Sequence, residues 1–373
     1  MKPMGPIPPD FQQRDGQLRI GGRTSASLIE EAGDTPLFVY DMAMVAKRIA
    51  RFRAAFSARI SLHYALKANP YRTLLPEIVK LVDGIDVASS GEAALALESG
   101  ISAGNISFAG PGKRDRELEA AIRAGVTINL ESAAEAERAL AIGERIGSRP
   151  RLAVRVNPDF DLRGSGMKMG GGARPFGVDA GEAAALVRRI VAAGADYRGL
   201  HIFAGSQALD AGAIIDAQAS TIALADRIAA EAGISAPLVN LGGGFGIPYF
   251  PGDTALDVEA VGKALGEALA SRTDATGYAI ELGRWLVGEA GVYLTRIVDR
   301  KISHGEIFLV TDGGLHHQLA ASGNFGTVVR RNYPVAVANR FGAEADEVAT
   351  VVDRKSTRLN SSHLSVSRMP SSA

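Results

Sequence analysis

A chain of 373 residues exceeds the usual single-domain size, and one barrel of about 250 residues with a smaller second domain would account for it. Lysine plus arginine and aspartate plus glutamate number 41 each, so no global field draws the chain to nucleic acid or to an anionic membrane, and a small molecule is the expected partner. Cysteine is absent from the sequence, which excludes disulfides, thiolate metal sites and cysteine nucleophiles within it.

The opening MKPMGPIPPDFQQRDG is polar and Pro-rich, without a signal-type apolar core, and no later stretch reaches about 18 uncharged apolar residues; a cytoplasmic protein is expected. Residues 1–34 read as an N-terminal segment whose residues 17–27 add strands to a β domain. From there, short apolar runs alternate with Ala-rich amphipathic stretches, the pattern of repeated βα units. A helix is predicted over Met44–Phe56, where Val45, Ile49, Phe52 and Phe56 recur at helical spacing, and another over Ala183–Val191 with Leu186, Val187 and Ile190 on one face. Strands are predicted at Ile60–Ala65, Ile85–Val87, Ile106–Ala109, Thr127–Leu130, Arg151–Val156, Tyr197–Phe203, Leu238–Asn240 and Gly277–Ile280. Eight strands with intervening helices suggest a (β/α)8 TIM-type barrel over residues 35–290; a doubly wound sheet is the alternative, since periodicity does not reveal strand order. From Gly291 the runs VYLTRIV and EIFLVTD, with no long helix between them, predict a second, mainly β domain over residues 291–352.

In such a barrel the active site lies at the C-terminal ends of the strands. Polar residues gather there. Lys67 follows the first strand, Asp86 and Ser89 the second, and Glu131 the fourth; Arg155 and Asn157 end the fifth, and His201, Phe203 and Ser206 the sixth. The seventh runs into Gly242, Gly243, Gly244 and Gly246, and the eighth into Glu281, Gly283 and Arg284. Glycines and an arginine after the seventh and eighth strands suit a phosphate-bearing cofactor. Lys67 is expected to be partly desolvated, which favours the neutral amine that attacks a carbonyl cofactor. Glu281 is placed to pair with a protonated ring nitrogen.

The segments HYALKANP, DVASSGE, FAGPGK, INLES, RVNP, GLHIFAGSQ, LGGGFGIPY and ELGRWLVGEAGVYLTR, in this order, resemble the pyridoxal-phosphate-dependent amino-acid decarboxylases of the alanine-racemase-like fold, the family of ornithine and diaminopimelate decarboxylases. The resemblance covers about residues 35–352. It implies pyridoxal 5'-phosphate on Lys67, Glu281 at the pyridine nitrogen, and Ser206, Gly243, Gly244, Gly283 and Arg284 around the phosphate, with Asp86 and Arg155 as further members of the pocket. It also implies a homodimer acting on an amino acid, free or carrier-bound. Phe203 stands where many relatives have a cofactor-stacking histidine, and Leu282 replaces the proline of Glu-Pro-Gly-Arg. The segment GGLHHQLAASGNFG lacks the Arg-Pro-x-Leu-Tyr signature of diaminopimelate decarboxylases, and with HIFAGSQ it resembles an exosortase-associated branch. A racemase on the same barrel, a non-catalytic cofactor-binding regulator and a sugar-phosphate-binding barrel without pyridoxal are the alternatives; alanine racemases usually carry arginine where this chain has Glu281.

Other motifs carry less. Gly100, Ser102 and Gly104 match a nucleophile elbow but precede a strand instead of following one. LGGGFGI and GPGKR miss the dinucleotide and P-loop patterns, and adjacent His316 and His317 diverge on a strand, so no metal is expected. His63 reads as a satisfied core histidine. Asp353–His363 and Ser367–Ala373 resemble the translation of a sequencing-library adapter. On that reading residues 353–373 are artefactual, the β domain is truncated, and the chain as written is inactive for want of the cysteine- and tyrosine-bearing segments that complete the family's site across a dimer.

Overall fold

The eight apolar runs become eight parallel strands: β1 (Ile60–Ala65), β2 (Gly84–Val87), β3 (Ile106–Phe108), β4 (Thr127–Leu130), β5 (Arg151–Asn157), β6 (Asp196–Ile202), β7 (Leu238–Gly243) and β8 (Gly277–Leu282). Each pairs in parallel with the next, and β8 returns to β1, which closes the barrel and excludes an open doubly wound sheet. This is a computed structural model that describes residues 6–164, 166–168, 170–250, 252–314, 316–318, 334–344, 347–353 and 363–366. Two compact units make up the chain: Val45–Ile247 with Ala255–Gly288, and Met1–Met44 with Pro248–Thr254 and Glu289–Ala373.

In the barrel unit, strand residues alternate between the helix layer and the lumen. Ile60, Leu62 and Tyr64 of β1 are fully or almost fully buried, whereas Ser61, His63 and Ala65 between them are only partly so. The helix Ala180–Ala192 buries Leu186, Val187 and Ile190, the face that periodicity singles out, together with Ala183. The leucine, valine and isoleucine side chains each contribute roughly 1.5–3 kcal/mol on burial.

Local chemistry sets the helix starts. The Ser89 hydroxyl accepts the Glu92 N–H at 3.1 Å while the Glu92 carboxylate accepts the Ala88 N–H at 2.7 Å, so the helix Ser90–Glu98 begins directly after β2. Ser132 likewise caps the helix Ala133–Ile146 after β4. Lys113 is buried beneath the loop after β3. Its ammonium donates to the Gly110 and Asn129 carbonyls at 2.7 and 2.8 Å and to Glu135 at 2.7 Å, tying β4 to the loop after β3 and to the first turn of the helix after β4.

The second unit is mainly β. A short antiparallel sheet, Gln12–Arg14, Gln17–Ile20 and Arg23–Thr24, precedes the helix Ser25–Ala32. Leu37–Tyr40 pairs antiparallel with Gly291–Leu294, and Ile297–Ser303, Glu306–Thr311, Glu347–Asp353 and His363–Val366 form a four-stranded sheet. Leu18, Ile20 and Leu294 centre one small core, and Leu309 and Ala349 another. Most of the adapter-like stretch lies outside the described residues, as does most of GGLHHQLAASGNFG; His363–Val366, within the former, adds the outer strand.

Candidate active site

Register builds the mouth of the barrel. His201 on β6 is level with Arg155 on β5 and Asn240 on β7, and Glu281 on β8 is level with His63 on β1. Level neighbours on parallel strands share a face, so polar side chains converge at the C-terminal end of the lumen. Asp86, level with Ala65, joins them from β2.

Glu281 is 9% exposed. Its Oε2 accepts a hydrogen bond from Asn240 Nδ2 at 3.2 Å, and His201 Nε2 lies 3.1 Å from the same oxygen, close enough to pair electrostatically but not aligned as a hydrogen bond. Both neighbours sit on Oε2, which leaves Oε1 to meet a donor in the mouth. Burial opposes the carboxylate charge, but His201 beside it, with Lys67 and Arg155 farther off, outweighs that penalty and holds the pKa well below the ordinary carboxyl range. Glu281 is therefore ionised at neutral pH.

Lys67 lies in the single 3-10 turn Leu66–Ala68 just beyond β1. The expectation of partial desolvation does not hold: Lys67 is exposed on this turn. Its Nζ is 6.0 Å from the centre of the Phe203 ring, which is buried at the end of β6.

Asp86 is buried, and neither carboxylate oxygen has a well-formed hydrogen bond. His63 Nδ1 stands 3.3 Å from Oδ2. The reading of His63 as a satisfied core histidine is thus corrected: Nδ1 accepts and donates no hydrogen bond, and the ring faces a carboxylate. Burial works against its protonation, but Asp86, with Glu281 and Asp83, outweighs it and raises the pKa above the usual histidine value.

Other residues of the constellation are used structurally. Arg155 donates to Glu131 at 2.8 Å and packs 5.1 Å from the Phe176 ring centre. Glu131 also accepts the N–H groups of Gly110 and Gly177, at 2.5 and 2.7 Å. Asn157 donates to Asp179 at 3.0 Å, and Ser89 is spent as a helix cap.

Glycines close the far side. A Cβ on Gly243 would lie 1.8 Å from the Glu281 carbonyl oxygen, and one on Gly244, at φ +77°, would lie 2.1 Å from that of Gly205. Side chains are excluded at both positions, and backbone lines the wall. Ser206 sits in the two-residue strand Gly205–Ser206, Gly283 directly follows β8, and Arg284, exposed, donates to Gln207 at 3.2 Å. Gln207 and the His201–Asn240 support of Glu281 were not singled out by sequence reasoning; only the strand register, which places His201 and Asn240 side by side, could have signalled the latter.

A (β/α)8 barrel with a lysine, a buried carboxylate and a glycine-lined wall at its mouth defines a barrel enzyme of the kind that binds a phosphorylated carbonyl cofactor. Residues 42–288 match the family described as pyridoxal-dependent decarboxylase, pyridoxal binding domain, and the chain belongs to that family, whose members are pyridoxal-phosphate-dependent carboxy-lyases. It is 36% identical to an L-glutamyl-(BtrI acyl-carrier protein) decarboxylase of Niallia circulans over 81% of this chain and 72% of the relative. It is 32% identical to the diaminopimelate decarboxylase of Methanothermobacter thermautotrophicus, over 83% of this chain and 73% of that one. The crystal structure of Helicobacter pylori diaminopimelate decarboxylase complexed with L-lysine superposes with a TM-score of 0.78 at 25% identity, covering 93% of this chain and 85% of that one. The barrel, the separate mainly β unit and the pyridoxal cofactor all accord with these relatives. Among the described residues no helix is long and apolar enough to cross a membrane.

Proposed function

We propose that the dimeric enzyme to which this barrel belongs decarboxylates an L-amino acid, with carrier-linked glutamate as the favoured substrate, using pyridoxal phosphate held on Lys67. The observation that carries this reading is Glu281, a buried and ionised carboxylate whose Oε1 is left for a donor in the mouth. The residues present fit the cofactor. Glu281 would hold a proton on the ring nitrogen, Phe203 would offer an aromatic face to the ring, and Lys67 would supply the amine that holds the carbonyl group. Ser206, Gly243, Gly244, Gly283 and Arg284 would take the phosphate, since side-chain-free backbone and a guanidinium suit a dianion. Asp86, whose oxygens are buried without aligned partners, accepts from an amine or hydroxyl in the mouth, and Arg155 steadies the floor through Glu131. When bound, the cofactor is an electron sink for the pair left behind as carbon dioxide departs.

Two features favour a carrier-linked substrate over diaminopimelate. The Niallia circulans relative, whose name specifies a carrier-linked glutamyl substrate, is 36% identical, against 32% for the Methanothermobacter thermautotrophicus diaminopimelate enzyme. The chain also lacks Arg-Pro-x-Leu-Tyr. The acting form is proposed as a cytoplasmic homodimer. The test is carbon dioxide release from L-glutamyl carrier protein, free L-glutamate, meso-diaminopimelate, L-ornithine and L-lysine. Release should be fastest from the carrier-linked substrate. Interconversion of L and D isomers without carbon dioxide release would establish a racemase instead.

A further inference from the structure

We propose that Gln207 is a positioning residue for the phosphate end of the cofactor, a neutral latch that joins the loops after β6, β7 and β8 and orients Arg284 without neutralising it. The assignment rests on reading Ser206, Gly243, Gly244, Gly283 and Arg284 as the phosphate site. Gln207 follows Ser206 directly, and its side-chain amide is engaged at both ends. Nε2 donates to the Ile247 carbonyl at 2.6 Å, and Oε1 accepts the Ile247 N–H at 3.3 Å and Nη1 of Arg284 at 3.2 Å. The backbone beside it is zipped to the glycine loop as well: Ala208 N–H donates to the Gly244 carbonyl at 2.9 Å, and Gly246 N–H to the Ala208 carbonyl at 2.8 Å. One side chain thus reaches all three loops that form the candidate phosphate wall.

Two further observations separate this from ordinary loop packing. Gln207 adopts φ +62°, a left-handed conformation that glycine takes freely and that side-chain-bearing residues rarely adopt, so the strained position carries a side chain where a glycine would be easier. The chemistry of that side chain is also specific. An acceptor is needed for the arginine and for the Ile247 N–H, and a donor for the Ile247 carbonyl; of the shape-matched pair glutamine and glutamate, only glutamine offers both. Glutamate would repel the Ile247 carbonyl and would set a carboxylate on Arg284 in competition with a phosphate.

The test titrates wild type, Gln207→Glu and Gln207→Gly with pyridoxal 5'-phosphate and, separately, with pyridoxal, following the visible absorbance that either acquires on bonding to lysine, together with thermal unfolding of each protein. Both variants should bind pyridoxal phosphate about tenfold or more weakly, the scale of a lost hydrogen bond to a charged group, and pyridoxal within about twofold of wild type. Gln207→Gly, relieved of the positive φ, should keep its melting temperature. A phosphate preference that persists in both variants, or an equal loss for both ligands, would overturn the positioning role. A wild-type chain that acquires no absorbance with either ligand would instead overturn the cofactor reading beneath it.

Discussion

Replacing Glu281 with glutamine removes a charge while keeping the shape of the β8 strand end. Asn240 and His201 both contact Oε2 in a site that is 9% exposed, so the charge acts where water screens it little. A preorganised group of this kind facing developing charge is worth about 3–4 kcal/mol, so kcat should fall on the order of a hundredfold to a thousandfold. Glu281→Ala should lose as much and also leave a hole beside His201. Cofactor retention should change far less, because the ring nitrogen is one contact among several. The assay is carbon dioxide release by the dimeric enzyme at saturating cofactor, with occupancy read from the visible absorbance. Because the folded carboxyl titrates well below the ordinary value of 4.5, Glu281 stays ionised at and above that pH. The deficit should therefore be constant from neutral pH down to about 5. A kcat within about threefold of wild type would refute the electrostatic role.

Phe203→Ala should weaken cofactor retention by about 1 kcal/mol or more, and Phe203→His should restore most of it; dialysis against buffer reads both, and unchanged retention would remove Phe203 from the ring face. Lys113→Met leaves Glu135 buried without its cation and should destabilise the fold by about 3–5 kcal/mol in urea unfolding, whereas a loss below about 1 kcal/mol would mean that the pair is not sealed from solvent. His63 has a raised pKa, so its contribution is full below the ordinary histidine value of 6.5 and is lost as pH rises through the higher folded value. The melting-temperature gap between wild type and His63→Gln should accordingly narrow from acid towards alkaline pH, and a gap that widens would contradict the His63–Asp86 pairing.

Much of the barrel was legible because each strand is a short apolar run whose ends are marked by the polar residues of the mouth. The predicted bounds of β1 and β4 match the structure, and β7 extends three residues past its predicted end because Leu241 and the glycines continue the ladder through a register shift. Lys67 and Glu281 stood out by their places after the first and within the eighth apolar run and by the resemblance of HYALKANP and ELGR to the decarboxylase family. What escaped was long-range geometry. Gln207 is an ordinary residue type, and both its positive φ and its three hydrogen bonds depend on segments some 40 to 77 positions away. The fate of Arg155 is similar: it was legible as a mouth residue, but nothing local reveals that Glu131 holds it. His63 was misread because alternation along β1 does not tell which face of the strand looks into an open lumen.

The central claim is that Lys67 bonds the cofactor at the mouth of this barrel. The protein loaded with pyridoxal phosphate, reduced with borohydride and digested, should yield one labelled peptide, modified at Lys67, and Lys67→Ala should yield none. A label on Lys113, Lys168 or another lysine, with Lys67 unmodified, would contradict the account.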